Sequence, residues 1–435
     1  MPDEQTHERP SDVPEARPGV PPESSKPDEK RHGIALCLSG GGFRAALFHL
    51  GSLRRLHEIG ALQQVRTISC VSGVSILGGY LAGLMIEKGM SGLQFEDWEN
   101  DVAAGFRRFA GRDLRTWPMV AHLSWNWAAP GLRVNHLVRR YQSRLTSRKI
   151  GELPQTPNFI FCATDLTFGV NWTFCRGRSG DYQAGYTKVT DDWPIARAVA
   201  ASACFPPLFG PMPLGLAPED LKGGKYKGDK RDDLVRKIGL SDGGVYDNMA
   251  MEPAWKTHEC VLVSDCGAPF GHEAGGHYFK RLMRYTGVVM NQAAAVRKRA
   301  FFADINEKDR KRPPRYRGGY WGIAGTVGGY LEEWDGDGAP SERYSPSLVG
   351  NFIDAVRTDL NRFTDAETRV LENHGYLLTA AVMARRRSDL IAEGSPAPAA
   401  PHRDWVTDEN RVEKAMAHSH LRVSHRRLLG RGDYA

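Results

Sequence analysis

The sequence has no apolar run long enough to cross a bilayer. The longest, Ile76 to Ile86, falls far short of the roughly 20 residues that a membrane helix needs, so a spanning protein is not expected. Met1 to Lys30 is acidic and proline-rich where an apolar leader would stand, and no secretory signal is expected. The seven cysteines are odd in number, scattered and never at paired metal-ligand spacing. That argues against a disulfide framework and a zinc site, and for a reducing, cytoplasmic compartment. Internal repeats of useful period are missing as well. What is left is a globular chain of 435 residues, 41% hydrophobic, which can bury one large core or two moderate ones.

The informative stretch is His32 to Tyr80. Two apolar runs, Ile34 to Leu38 and Val65 to Val71, have the length of buried strands, and a helical pattern follows each. Repeated strand-turn-helix units imply a parallel sheet with right-handed crossovers, with site residues at the C-terminal strand ends. Those ends carry Gly40-Gly41-Gly42-Phe43-Arg44 and Cys70-Val71-Ser72-Gly73-Val74. Consecutive glycines before a helix N-terminus form an anion cradle. Ser72, between a strand end and a helix start, has the setting of a nucleophile elbow. A serine beside an anion cradle suits acyl transfer. Gly40 to Ala45 also fits the dinucleotide pattern G-x-G-x-x-A, but the second strand ends in Cys70, Val71 and Ser72 where a ribose-binding acid would stand. A Walker loop would need Gly-Lys-Ser/Thr, and Phe43-Arg44-Ala45 does not supply it.

Further along are Ala201-Ser202-Ala203-Cys204-Phe205-Pro206 and Ser241-Asp242-Gly243-Gly244. With the first two motifs they resemble, in order, the signatures of the patatin-like phospholipases, over about residues 33 to 250. Two features depart from that pattern: Cys204 replaces an alanine, and Cys70 and Val74 stand where a G-x-S-x-G elbow has its outer glycines. The resemblance implies a three-layer α/β/α sandwich with a mainly parallel sheet and helical insertions. It also implies a Ser72–Asp242 dyad with Asp242 as proton acceptor, Gly73 within the elbow, and an oxyanion loop of Gly40, Gly41, Gly42, Phe43 and Arg44. The backbone N–H groups of Gly41, Gly42 and Phe43 would be the donors, and Arg44 would hold the loop's shape. No metal or organic cofactor is implied. The activity implied is cleavage of carboxylic esters of phospholipids through an acyl-enzyme; neutral-lipid lipase, lysophospholipase and transacylase activities would use the same site, and a catalytically silent membrane scaffold is the non-enzymatic alternative.

Elsewhere the reading is coarser. Residues 1 to 31 have the composition of a disordered tail, and the helix from Phe43 should stop at Gly60. His49 and His57 fall within that helical pattern and read as packing residues. Residues 89 to 150 interleave Phe95, Trp98, Phe106, Phe109, Trp117, Trp125 and Trp127 with arginines, as either a lid or acyl-binding wall or an aromatic satellite core. Asn158 to Asp165 and Val170 to Phe174 read as an antiparallel strand pair, and Tyr278 to Phe302 as a long helix. Residues 217 to 237 read as a charged mobile loop, and the two glycines after Asp242 as positions of positive φ. The catalytic domain is expected to run from 32 to 393, followed by a Pro/Ala linker and a basic tail from 394 to 435. The net charge of +7 and pI near 9.0 suit peripheral contact with an anionic membrane carrying the lipid substrate, through Arg310 to Arg317 and Arg411 to Arg431; no nucleic acid partner is expected.

Overall fold

A computed structural model describes residues 32–111, 130–206, 210–267, 278–306, 314–332, 334 and 336–421. The tail 1–31, Trp117, Trp125, Trp127, Arg310 and Arg422 to Arg431 lie outside the described residues.

The first strand, β1 (Ile34–Leu38), is buried on both faces. Ile34, Leu36 and Leu38 pack into the larger core, while Ala35 and Cys37 enter a second cluster across the sheet. Double burial is what helices on both faces of a parallel sheet require. Helix α1 (Gly42–Glu58) follows and stops at Gly60, whose φ is 72°. Then come β2 (Val65–Val71) and α2 (Val74–Glu87), so the bounds read from hydrophobic pattern hold within a residue or two. The remaining large elements are α3 (Ala104–Ala110), α4 (Pro130–Arg144), β3 (Asn158–Asp165), β4 (Val170–Phe174), β5 (Ser179–Asp181), β6 (Gly185–Thr187) and α5 (Ile195–Ser202). After them lie β7 (Met212–Pro213), β8 (Lys222–Gly223), α6 (Arg231–Arg236), β9 (Gly239–Asp242), α7 (Gly244–Asp247), β10 (Cys260–Asp265), α8 (Tyr278–Asp304), β11 (Arg317–Gly322), α9 (Asp365–Arg386) and α10 (Glu409–Met416).

The sheet order is β11-β10-β1-β2-β3-β4-β5-β6-β8, with β9 on β3 and β7 on β9. From β11 through β3 every pairing is parallel; β4, β5, β6, β8 and β9 extend it antiparallel. Helices α1, α2 and α9 bury the larger core on one face. Phe301 of α8 and the Met249–Ala254 segment bury the other. The result is a three-layer α/β/α sandwich. Helix α9 opens with a capping box in which Thr364 Oγ1 accepts from the Glu367 N–H and Glu367 Oε2 accepts from the Thr364 N–H.

The aromatic segment takes the packed one of its two readings, in the main core and not in a satellite, and three other segments differ from the sequence reading. Phe95, Trp98, Phe106 and Phe109 are buried in the main core, with Phe43 edge-on to Phe109, so these aromatics pack the body and form no exposed lid. Residues 217–237 hold a short 3-10 turn, β8 and α6, because Arg231 ties Pro218, Ala184 and Leu221 carbonyls together. The Pro/Ala stretch is not a free linker: Arg55 donates to Pro396 O, and Ala400 is buried. Nor is the segment that follows a free tail. Val412 and Met416 of α10 are in the main core, and the Arg357 N–H donates to Ser419 O.

Candidate active site

The site arises from one strand replacing another. β2 runs beside β3 until Val71 pairs with Cys162. From Ala163 onward β3 is paired on that side by β9, with Asp242 opposite Ala163. The chain that leaves the sheet at Ser72 and the chain that ends at Asp242 are thereby brought to one point. Ser72 Oγ donates to Asp242 Oδ2 at 2.6 Å.

Ser72 has φ of 60°, a left-handed conformation that costs a non-glycine residue roughly 1–3 kcal/mol. Local bonds hold it there. Its carbonyl accepts from the Ser75 N–H at 2.9 Å, and its N–H donates to Ser202 Oγ at 3.0 Å. Ser202 Oγ spends its own proton on Cys162 O at 2.6 Å, so it faces Ser72 and Ser75 as an acceptor. The elbow accommodates both of its departures. Val74 is the buried first residue of α2, past the strained position, and Gly73 has an ordinary φ of −57°. Cys70 Sγ fills space left by Gly78, where a Cβ would lie only 2.7 Å from the sulfur.

The glycine loop lies against the elbow; a Cβ on Gly73 would collide with the backbone of Gly42. Gly41 (φ 151°) and Gly42 (φ 64°) need conformations that side chains disfavour. Two of the loop's N–H groups are already engaged: Gly40 donates to Asn248 O at 3.0 Å and Phe43 to Asp359 O at 2.8 Å. Phe43 is therefore not the available donor that the motif suggested. Gly41 and Gly42 keep N–H groups with no acceptor among the described residues. The Arg44 guanidinium turns away, buried, onto the carbonyls of Asp354 (3.2 Å), Val356 (3.0 Å) and Cys266 (2.8 Å), so it holds the loop's base.

Asp242 is buried, and its Oδ1 accepts from the Gly244 N–H at 2.8 Å. Burial pushes its carboxyl up from the ordinary range to about 7, against the opposing pull of the Ser72 and Gly244 hydrogen bonds. It is a stronger base than an unperturbed aspartate. The positive φ expected at the following glycines is not found: Gly243 has φ −63° and Gly244 begins α7. They are there for room, since a Cβ on Gly243 would strike Cys162 O and one on Gly244 would lie 2.6 Å from Asn248 Oδ1. Among the described residues no histidine bonds Ser72 or Asp242. His49, lowered to about 4 by burial, donates from Nε2 to Ser39 O and accepts from Ser264, while His57 bonds Phe95 O.

Residues that sequence reasoning missed brace these groups. Ser202 lay in a quoted motif without a role. Asp354, Val356 and Asp359 act through backbone carbonyls, which leave no signal in side-chain chemistry. A surface cavity of about 680 Å³ lined by Arg178, Tyr186, Lys188 and Lys222 lies on the β5–β6–β8 extension, apart from Ser72.

The sequence matches the patatin-like phospholipase family over residues 36–255. No curated protein matches it. In structure the chain is similar to human GIVD cytosolic phospholipase A2, at 14% identity and TM-score 0.47, over 83% of this chain and 60% of that one. The same human enzyme in complex with methyl γ-linolenyl fluorophosphonate gives 14% identity and TM-score 0.46, over 82% and 58%. VipD from Legionella pneumophila gives 14% identity and TM-score 0.35, over 82% and 67%. The chain spans about three fifths of the length of the human enzyme.

Proposed function

The chain belongs to the patatin-like phospholipase family, and from that premise we propose that it is a serine lipid acyl hydrolase of phospholipase A type, working through a Ser72–Asp242 dyad. The observation that carries the proposal is the 2.6 Å hydrogen bond from Ser72 Oγ to the buried Asp242 carboxylate at a left-handed turn against the glycine loop. A serine hydroxyl becomes a useful nucleophile when a base takes its proton during attack. A carboxyl raised to about 7 can hold that proton and return it near neutral pH.

In the proposed cycle Ser72 Oγ attacks the ester carbonyl carbon while its proton moves to Asp242 Oδ2. The carbonyl oxygen takes the negative charge and is met by the Gly41 and Gly42 N–H groups. Collapse of this intermediate breaks the bond to the alcohol, which leaves with the proton from Asp242. Water then attacks the acyl-enzyme, Asp242 again takes a proton, and the fatty acid departs as Ser72 recovers its own. Each oxyanion donor in sites of this kind is worth about 3–4 kcal/mol. The substrate class is a phospholipid or related lipid ester, met at a membrane surface.

A fluorophosphonate probe tests the assignment. Mass mapping is expected to find the adduct on Ser72, with ester hydrolysis lost in proportion. An adduct on Ser39, Ser69 or Ser75, all buried in the native fold, would overturn it.

A further inference from the structure

Helix α8 is unusual in this protein. It runs from Tyr278 to Asp304, yet among its described side chains none from Tyr278 to Ala300 is buried. Helix α9, of similar length, is buried along nearly all of its course. The exposed face of α8 is nonetheless apolar. Tyr278, Leu282, Tyr285, Val289 and Val296 are between 48% and 75% exposed. At 100° per residue they fall in one arc of about 60°, which makes a continuous stripe. Monomeric proteins rarely leave such a stripe open without a partner for it.

Where the stripe sits follows from the topology. β10 is parallel to β1, so the chain leaves it at the edge of the sheet that carries Ser72, and α8 returns toward the start of β11. Near the far end of α8, Arg297 lies over the Tyr246 ring at 4.8 Å and 3.9 Å from Asp247, on the turn just after Asp242. Lys298 donates to Tyr320 at 2.5 Å, which in turn donates to Asp265. These contacts anchor the C-terminal end. That anchor is itself at the active-site edge, since Asp265 ends β10 and Asp247 follows Asp242 by one turn, and the stretch from Tyr278 to Val296, about 28 Å of helix at ~1.5 Å per residue, runs on from it, away from the start of β11.

Charge decides what the stripe can meet. From Tyr278 to Ala303 there is no aspartate or glutamate, whereas Lys280, Arg281, Arg284, Arg297, Lys298 and Arg299 are all basic. Arg281 and Arg299 are exposed on the same side of the stripe. The spacing of the stripe would also suit a partner helix, but a second copy would bring the same arginines and no acid to face them, in either direction. An anionic lipid surface satisfies both features, because the apolar arc enters the acyl boundary while the arginines meet headgroup phosphates.

We propose that α8 is an interfacial docking helix that lays the active-site edge on an anionic membrane. The partner rests on the lipid reading of the site; the placement of the helix does not. The test uses the full chain with sedimenting vesicles of phosphatidylcholine containing about 30% phosphatidylserine, and of phosphatidylcholine alone. Wild-type protein is expected to partition at least about tenfold better onto the anionic vesicles, with the advantage collapsing at about 0.5 M salt, where screening is nearly complete. Leu282→Glu with Val289→Glu should lower that partition at least about tenfold, leaving circular dichroism and hydrolysis of a short soluble ester within about twofold of wild type. Arg281→Gln with Arg299→Gln, which leaves the apolar stripe intact, should lower it by about tenfold and flatten the salt dependence. Partition unchanged by both pairs would overturn the proposal. So would a wild-type dimer, seen by light scattering, that the glutamate pair converts to monomer without altering sedimentation, because the occupant would then be a second copy. Vesicle binding that follows these variants in a protein without esterase activity would support the docking helix and count against the hydrolase.

Discussion

Two glycine-rich turns face each other across Ser72, and they use glycine for different physical reasons. In the Gly41-Gly42 loop the backbone itself is unusual, with φ of 151° and 64°, and Gly42 also sits where a Cβ would lie 2.5 Å from Asp359 O. In the Gly243-Gly244 turn the backbone is ordinary and only the space is short, against Cys162 O on one side and Asn248 Oδ1 on the other. The first turn offers N–H groups and the second offers a carboxylate. A donor loop must expose its amides, which helical φ would turn into hydrogen bonds. A carboxylate turn needs only to bring Asp242 close to the elbow.

The largest effect should come from the carboxylate. Asp242→Asn keeps the shape and the Gly244 bond but removes the proposed proton acceptor, and ester hydrolysis should fall about 10²–10⁴-fold in initial-rate assays. Stability should move the other way. The folded-state carboxyl is raised to about 7, so the native protein holds this proton more tightly than the unfolded chain, and stability contributed by it is lost as pH rises from about 4 through about 7. The variant's thermal midpoint should therefore exceed wild type's by more at pH 8 than at pH 5. On the proposed mechanism the same group in wild type should set the acid limb of the rate, with a drop of about tenfold per unit below a midpoint near 7. An acid limb near 4 would contradict the buried base.

Gly42→Ala sharpens the contrast between the turns. It strains φ and displaces a candidate oxyanion donor together with its Asp359 brace, so kcat should fall about 10²–10³-fold while KM changes little. Gly244→Ala meets only the spatial constraint, relieved by a small shift of Asn248 and Asp242, and should cost about tenfold or less. Equal losses at the two positions would mean that conformation and space are not separable here.

The smallest expected effect lies at Ser202. Ser202→Ala leaves the Ser72 N–H without its acceptor and should destabilise by about 1–3 kcal/mol in urea titration. The rate should fall about three- to tenfold, because the elbow keeps its Ser75 bond. A loss approaching that of Asp242→Asn would make Ser202 part of the chemistry and not only a support for the elbow.

The sequence by itself determined the local parts. The apolar runs at Ile34–Leu38 and Val65–Val71 read as strands with little ambiguity, and the glycines and serine at their ends, like Asp242 before its two glycines, stand out because short-range geometry demands those residue types there. The capping box at Thr364 and Glu367 was legible for the same reason, since both partners lie within one helical turn. Only the tertiary structure decided what the parts do to one another. Burial of Asp242, which turns a weak base into one near neutrality, depends on β9 replacing β2 beside β3. The engagement of the Phe43 N–H depends on a carbonyl more than 300 residues away, at Asp359. Residues 394–421 look like linker and basic tail because prolines, alanines and arginines dominate them; their packing comes from Ala400 and from Val412 and Met416, an i, i+4 pair on α10 too short to stand out as an apolar pattern until the core it enters is seen. Backbone carbonyls are common to every residue, so a brace built from them leaves no mark on composition or pattern. Likewise the exposure of α8 is a property of what does not cover it, and a sequence cannot state which faces its own fold will leave open.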